Sequence, residues 1–305
     1  MNIINLPLNN YSTIGEMTQI QPKTWRVIDL INWGESYFKS KEIPNSRREI
    51  EWLLCDILNC QRIDLYLEFE KPVIGGELQQ FKSFLHRRLK GEPFQHIIGK
   101  APFYGRDFEV DSRVLIPRPE TEIIIDILKQ RGKMSQALEI GTGSGCIAIT
   151  LIEENLAEKV IATDISKSAL DVARGNAIKL KTDNISFRRH DFLKDIVSSK
   201  FDVVVSNPPY VGKGEVAGLD PVVAKYDPID ALTDHGDGLS FYRRFAETGH
   251  DLLLPDGVMV LEFGGAHQQE SIETIFSKAG YHVTFHNDLQ HDPRVVEITR
   301  EKAGL

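Results

Sequence analysis

The chain has 305 residues, a formal net charge of −8, a pI near 5.6 and 41% hydrophobic residues. That length exceeds one typical hydrophobic core and predicts two domains. The negative balance argues against broad nucleic-acid binding, which draws its affinity from neutralising phosphates, and no apolar run approaches the ~18–20 residues of a membrane span.

Taken from the start, Met1 to Pro7 lacks the basic stretch, apolar core and cleavage site of a secretory signal. Cys55, Cys60 and Cys146 form no Cys-x-x-Cys pair and no disulfide framework, so a reducing, cytoplasmic location is expected. Residues from about 22 to 90 read as a helical unit. Thr24 is placed to cap a helix carrying Val27, Ile28, Ile31 and Phe38 at helical spacing. Ser46 with Glu49 three residues on predicts a capping box ahead of Trp52, Leu53, Leu54, Ile57 and Leu58. A third helix near Glu77 to Lys90 turns Leu78, Phe81, Phe84, Leu85 and Leu89 inward. Its Arg87, Arg88 and Lys90 then read as a solvated helix end. No residue of this unit reads as chemical.

Gly91-Glu92-Pro93 ends the helical unit. From Phe94 to Ile116 the period changes to two, with Gly99 and Gly105 as turn points, which predicts a β-hairpin joining two domains. The stretch from Leu115 through Pro117, Arg118, Pro119, Glu120, Thr121 and Glu122 reads as an extended turn opening a helix through Leu128. Acidic residues there suit the helix's positive end. The expected division is therefore 1–93 helical, 94–117 hairpin linker and 118–305 catalytic.

Beyond Ala137 strands and helices alternate, so the sheet is expected to be mostly parallel. Strands are predicted at Ala137–Ile140, Val160–Thr163, Ser186–Arg189, Phe201–Ser206, Val258–Phe263, Tyr281–Phe285 and Val295–Thr299. Helices are predicted to begin near Gly145, Ser166, Leu239 and Gln268. The pattern fits a seven-stranded, doubly wound, Rossmann-like α/β sheet with an antiparallel edge.

Four stretches of this part carry chemistry. Gly141, Thr142, Gly143, Ser144 and Gly145 follow the first strand and open a helix, where bare backbone and free N–H groups suit a nucleotide-like ligand. The dinucleotide fingerprint needs glycine where Cys146 stands, and the Walker loop's Gly-Lys-Ser/Thr is absent. Ser144 is not a nucleophile elbow, since Thr142 and Cys146 flank it instead of glycines. Asp164 ends the next strand about twenty residues on, the place of an acid that binds ribose hydroxyls. It could instead cap the following helix, as Ser166 could; beside the glycine loop, the ribose role is favoured. Asp191 and Phe192 follow the third strand, placed either to contact an adenine amino group and ring or to form a polar loop. The histidines make no metal pair at helical spacing, and His282, His286 and His291 read as structural.

The fourth stretch is Asn207-Pro208-Pro209-Tyr210, directly after the β-branched run Phe201 to Val205. Proline lacks an N–H and pushes its predecessor out of the helical region, so the turn is stiff. Asn-Pro alone would read as a strand terminator. The tetrapeptide after a buried strand offers the Asn207 side-chain oxygen and the Pro208 carbonyl to a planar –NH2 group, with Tyr210 to stack on it. In open α/β sheets ligands sit at that end of the strand.

Together these stretches resemble the S-adenosylmethionine-dependent methyltransferases, and closely resemble the family that methylates the glutamine side chain of peptide chain release factors. The resemblance is nearly full length. It covers Gly91-Glu92-Pro93, Phe103-Tyr104-Gly105, Val114 to Glu122, the glycine loop, Asp164, Asn207 to Tyr210, Tyr226-Asp227-Pro228 and Asp237-Gly238-Leu239. It implies a helical N-terminal domain that helps hold the release factor. It also implies S-adenosylmethionine as cofactor, with S-adenosylhomocysteine as product, held by residues matching Gly141 to Gly145, Asp164, Phe192 and Asn207. The implied target is N5 of the glutamine in a Gly-Gly-Gln loop, bound by the Asn207–Tyr210 turn. Departures are small: Glu139 stands where the family often has Asp, and Phe192 where Trp is also seen.

The mechanism expected is direct displacement, with both amide N–H groups held by Asn207 and Pro208 and no general base apparent. A monomer that binds neither membrane nor nucleic acid directly is expected. The rival readings are a glutamine methyltransferase acting on a ribosomal protein, an amino-methylating nucleic-acid enzyme and a nicotinamide oxidoreductase. The last conflicts with Cys146, the nucleic-acid enzyme with the lack of a basic face, and the Pro117–Glu122 stretch favours release factors.

Overall fold

A computed structural model describes residues 24–301, which divide into two units between Ile98 and Gly99. The first unit holds β1 (Trp25–Arg26), α1 (Val27–Lys39), α2 (Ser46–Leu58), α3 (Arg62–Leu67), β2 (Pro72–Val73), α4 (Gly75–Leu89) and α5 (Phe94–Ile98). The apolar positions at helical spacing become its core. Val27, Leu30, Phe38, Ile50, Leu53, Leu54, Phe81 and Leu85 are fully buried together, each worth ~1.5–3 kcal/mol when removed from water.

Several local expectations for this unit give way to tertiary partners. Thr24 is not the cap of α1, whose first turn is instead closed by Asp29 accepting the Arg26 backbone N–H. Asn45 rather than Ser46 precedes α2; Ser46 is already helical, and its hydroxyl donates to the Ile43 carbonyl. Glu49 does not reach back to complete a capping box, because Arg88 grips both of its oxygens at 2.7 and 3.1 Å. Arg87 likewise spends its donors internally, on Glu92 and on the carbonyls of His96 and Ile97. The basic end of α4 is thus a set of internal clamps rather than a solvated face. Phe94 to Ile98, expected as a strand, is a short helix that buries Phe94 and Ile97 in the helical core.

The second unit opens with the hairpin β3 (Lys100–Phe103) and β4 (Arg106–Glu109), then a 3-10 turn at Pro119–Thr121. There follow α6 (Glu122–Arg131), β5 (Met134–Ile140), α7 (Cys146–Glu153), β6 (Ala157–Asp164), α8 (Lys167–Leu180), β7 (Ile185–Arg189) and β8 (Phe201–Ser206). After β8 come α9 (Pro221–Tyr226), α10 (Ile229–Leu232), α11 (Ser240–Leu252), β9 (Leu253–Glu262), α12 (Ala266–Lys278), β10 (Tyr281–Asn287) and β11 (Pro293–Arg300). All seven predicted strands of the sheet form, in the order β10-β11-β9-β8-β5-β6-β7. Only β11 runs against the rest, one place in from the edge. Val203 to Val205 of β8 are fully buried, as a strand covered on both faces requires.

The order reverses between β5 and β8: β6 and β7 lie to one side of β5, β9 to the other side of β8. Such a switch point opens a crevice at the carboxyl ends of the strands. The register makes those ends flush. Ile140 pairs with Ser206 and with Thr163, Asp164 pairs with Arg189, and Ser206 pairs with Leu261. The residues that follow each pair therefore emerge side by side.

Candidate active site

A cavity of about 800 Å³ opens at this crevice, lined by Gly141 to Ser144, Asp164, His190 to Phe192 and Asn207 to Pro209, among others. Its size is that of a nucleoside-like ligand with room for a second group. The structure brings the glycine loop, the acid and the Asn207 turn into one wall. Gly145 lines no part of it. Its φ of +82° and its packing require glycine: a Cβ there would lie 3.1 Å from the Ala173 Cβ on α8 and 3.2 Å from Ile149 Cδ1. It sets the approach of α7 to α8.

Asp164 does two jobs at once. Oδ2 accepts the Gly143 N–H and Oδ1 the Ser166 N–H, both at 2.9 Å, so the carboxylate ties the glycine loop to the start of α8. Ser166 is the side chain that caps α8, accepting from Ala169 N at 3.2 Å. The Ile165 N–H adds a third bond to the carboxylate, which still leaves it lone-pair capacity for a diol. Burial pushes its pKa above the ordinary value against the pull of those N–H groups. Asp191 faces the cavity, and its Oδ2 pairs with Lys194 at 2.7 Å. Phe192 is buried, stacking at 6.3 Å on Phe241 and packing at 4.4 Å against Phe245.

Glu139, the last acid of β5, is fully buried. Its Oε2 accepts from the Thr142 hydroxyl at 2.6 Å and from Ala148 N, while Oε1 has no hydrogen-bond partner among the described residues. Burial raises its pKa to about 8, with the Thr142 and Ala148 bonds opposing and Asp164 adding repulsion. Held protonated by burial, the acid carries its proton on Oε1, and it becomes an acceptor only for a cationic or N–H-bearing guest whose arrival displaces that proton.

Asn207, Pro208 and Pro209 line the cavity; Tyr210 does not. Its ring packs with the cluster around Tyr242 and Phe263. The turn is seated from beneath. Gln268 on α12 donates to the Tyr210 carbonyl at 2.8 Å and accepts the Gly264 N–H at 3.0 Å. Gly238 permits this seat, since a Cβ there would fall 2.3 Å from the Tyr210 oxygen.

Sequence reasoning missed three supports. Asn176 on α8 accepts from Glu109 N and donates to the carbonyls of Glu109 and Ser144, joining hairpin to glycine loop. The stretch at 118–122 is a bracket rather than a simple helix start. Arg118 binds the buried Asp227 at 2.7 Å, and Glu122 accepts the Tyr104 N–H at 2.7 Å. Between them, Thr121 donates to Glu262 and accepts from the Asn207 side chain. Among the described residues no His, Cys, Asp and Glu group is arranged to hold a metal, and Cys55, Cys60 and Cys146 are free thiols.

A mostly parallel sheet with a glycine loop, an acid and an Asn-Pro-Pro-Tyr turn around its switch point defines a Rossmann-like methyltransferase. The solved methyltransferase of Pyrococcus furiosus shares this fold, with a TM-score of 0.50 at 23% identity over 66% of this chain and 91% of that one. A family model of the PrmC N-terminal domain matches residues 29–99, and one of the methyltransferase small domain matches 119–220. The release factor glutamine methyltransferase of Bacillus subtilis (strain 168) is 38% identical, over 83% of this chain and 90% of its own. That of Chlorobaculum tepidum is 40% identical, over 79% and 86%. The chain belongs to the release factor glutamine methyltransferase family. Among the described residues no helix is long and apolar enough to cross a membrane.

Proposed function

We infer that this protein transfers a methyl group from S-adenosylmethionine to N5 of the glutamine in the Gly-Gly-Gln loop of peptide chain release factors. The observation that carries the site assignment is the β5–β8 register. It sets Gly141 and Asn207 at neighbouring strand ends, so the cofactor loop and the amide-binding turn share one cavity. The residues present fit the cofactor: Asp164 suits the ribose diol, Glu139 suits the amino group once the cation beside it displaces the carboxyl proton, and Asp191 and Phe192 border the remaining space. When bound, S-adenosylmethionine supplies a sulfonium-borne methyl group open to in-line attack by a nitrogen lone pair.

The chain's own work is orientation. An amide nitrogen is a weak nucleophile because its lone pair is delocalised into the carbonyl. The Asn207 Oδ1 and the Pro208 carbonyl accept its two N–H bonds, which aims the lone pair and stabilises positive charge growing on nitrogen. Fixing such a geometry contributes ~7–11 kcal/mol toward a barrier in well-aligned systems. The helical unit, which holds no group of the cavity, serves as a second contact region for the folded release factor. The protein works as a cytoplasmic monomer, without nucleic acid.

Labelled methyl transfer to purified release factor, ribosomal protein and DNA in parallel tests this reading. Label is expected on the glutamine of the release factor alone. Label on ribosomal protein or DNA, with none on release factor, would overturn it.

A further inference from the structure

Asn207 leaves β8 opposite the end of β9, because Ser206 pairs with Leu261 and Glu262 comes next. Glu262 and Thr121 are both about 2% exposed. The Thr121 hydroxyl donates to Glu262 Oε2 at 2.5 Å, and Asn207 Nδ2 donates to the same hydroxyl oxygen at 3.2 Å. A hydroxyl has one proton, and an ionised carboxylate accepts only. The Thr121 proton is therefore committed to Glu262, and only lone pairs are left for Asn207. The carboxamide must present its –NH2 end to Thr121, which leaves Oδ1 as the end available to a substrate. The two ends are not interchangeable: an N–H of the substrate amide is received by Oδ1 and opposed by Nδ2.

We propose that Thr121 and Glu262 are positioning residues that fix which end of the Asn207 carboxamide meets the substrate amide. The inference rests on the role given to Asn207 above. It assigns a task to a buried carboxylate with no ion-pair partner among the described residues. Glu262 is approached by Thr121, Glu120 and Arg118 from the 118–122 bracket, by Arg294 from β11, by the Cys146 thiol of α7 and by Tyr210; the Tyr242 hydroxyl of α11 binds its carbonyl. Burial raises its pKa to about 7, opposed by the Thr121 bond, raised further by Glu120 and lowered by Arg294 and Arg118. A protonated Glu262 can donate to Thr121, which frees the hydroxyl proton to point at Asn207 and removes the cause of the alignment. The ionised form is the aligning one, so turnover falls as pH drops through about 7.

The test measures kcat at saturating cofactor, with release factor as substrate, for Thr121→Val, Thr121→Ser, Glu262→Gln and Asn207→Ala beside the wild type. Thr121→Val keeps the branched shape without the hydroxyl and is expected to lose ~10²-fold in kcat, the usual cost of a misaimed catalytic group. Thr121→Ser restores most of that loss. Glu262→Gln cannot titrate, so the acidic limb near pH 7 should vanish from its profile. Wild-type kcat in Thr121→Val, or a serine variant as slow as the valine one, would overturn the proposal. Should Thr121→Val not fold, an acidic limb unchanged in Glu262→Gln overturns it equally. Full activity in Asn207→Ala would instead remove the reading of Asn207 itself. A slow Asn207→Ala beside fast Thr121 and Glu262 variants would remove only this inference.

Discussion

The two units both bury carboxylates, and they treat them in opposite ways. In the helical unit Glu51 is wholly enclosed and accepts from Arg47 at 2.9 Å, Arg62 at 2.6 Å and the Tyr66 hydroxyl at 2.5 Å. Burial pushes its pKa up, but the Tyr66, Arg62 and Arg47 partners together hold it below the ordinary value. In the sheet unit Glu139 and Glu262 are equally enclosed, yet neither forms an ion pair among the described residues. Hydroxyl and N–H donors alone serve them, and burial wins, to about 8 and about 7. A buried charge is tolerable when paired and costly when not. The helical unit uses its carboxylates as ties. The sheet unit keeps two protonatable acids, Glu139 in the cavity wall and Glu262 behind Asn207.

The largest effect that sharpens this contrast is its dependence on pH. A carboxylate raised in the folded state contributes stability that is complete below its unfolded pKa and is lost as pH rises through its folded one. For Glu139 that window runs from about 4.5 to about 8, and each pH unit across it corresponds to ~1.4 kcal/mol. Glu51 has the opposite sign: its contribution is present above the unfolded value and fades as pH falls through the lowered one. Chemical denaturation of wild type and Glu139→Gln across the Glu139 window should show stability declining with rising pH, and declining less steeply in the variant. Identical slopes would mean that Glu139 is not held protonated.

A smaller effect separates tie from chemistry. Glu51→Ala removes three hydrogen bonds to charged or hydroxyl donors, but Arg47 and Arg62 both reach solvent and can rehydrate. The expected loss is about 2 kcal/mol of stability, read from the denaturation midpoint. Methyl transfer per folded molecule to a short Gly-Gly-Gln peptide should be unchanged. A selective loss of that transfer would carry the helical unit into the chemistry and break the contrast.

The same contrast governs what could be read from the sequence. The sheet was legible because each strand carries its own signal: Phe201 to Ser206 is observed with the bounds its β-branched run predicts. The glycine loop and Asn207 turn were legible because strand ends of a parallel sheet converge whatever lies between them. Polar pairings were not. Glu49 meets Arg88 across 39 residues, Asn176 meets Glu109 across 67, and Thr121 meets Glu262 across 141. In a local window Glu49 is a capping acid and Thr121 is one residue in a helix start. Phe94 to Ile98 misled for a related reason: five residues hold too little periodicity to separate strand from helix, and the helical core decides.

The central claim is that Asn207 receives the amide to be methylated, and the rate of methyl transfer to intact release factor tests it most directly. With cofactor saturating and folding checked by circular dichroism, Asn207→Ala is expected to be slower than wild type by ~10²-fold or more. Asn207→Asp, which keeps the shape and an acceptor, should recover part of the rate. Full activity in the alanine variant would contradict the account.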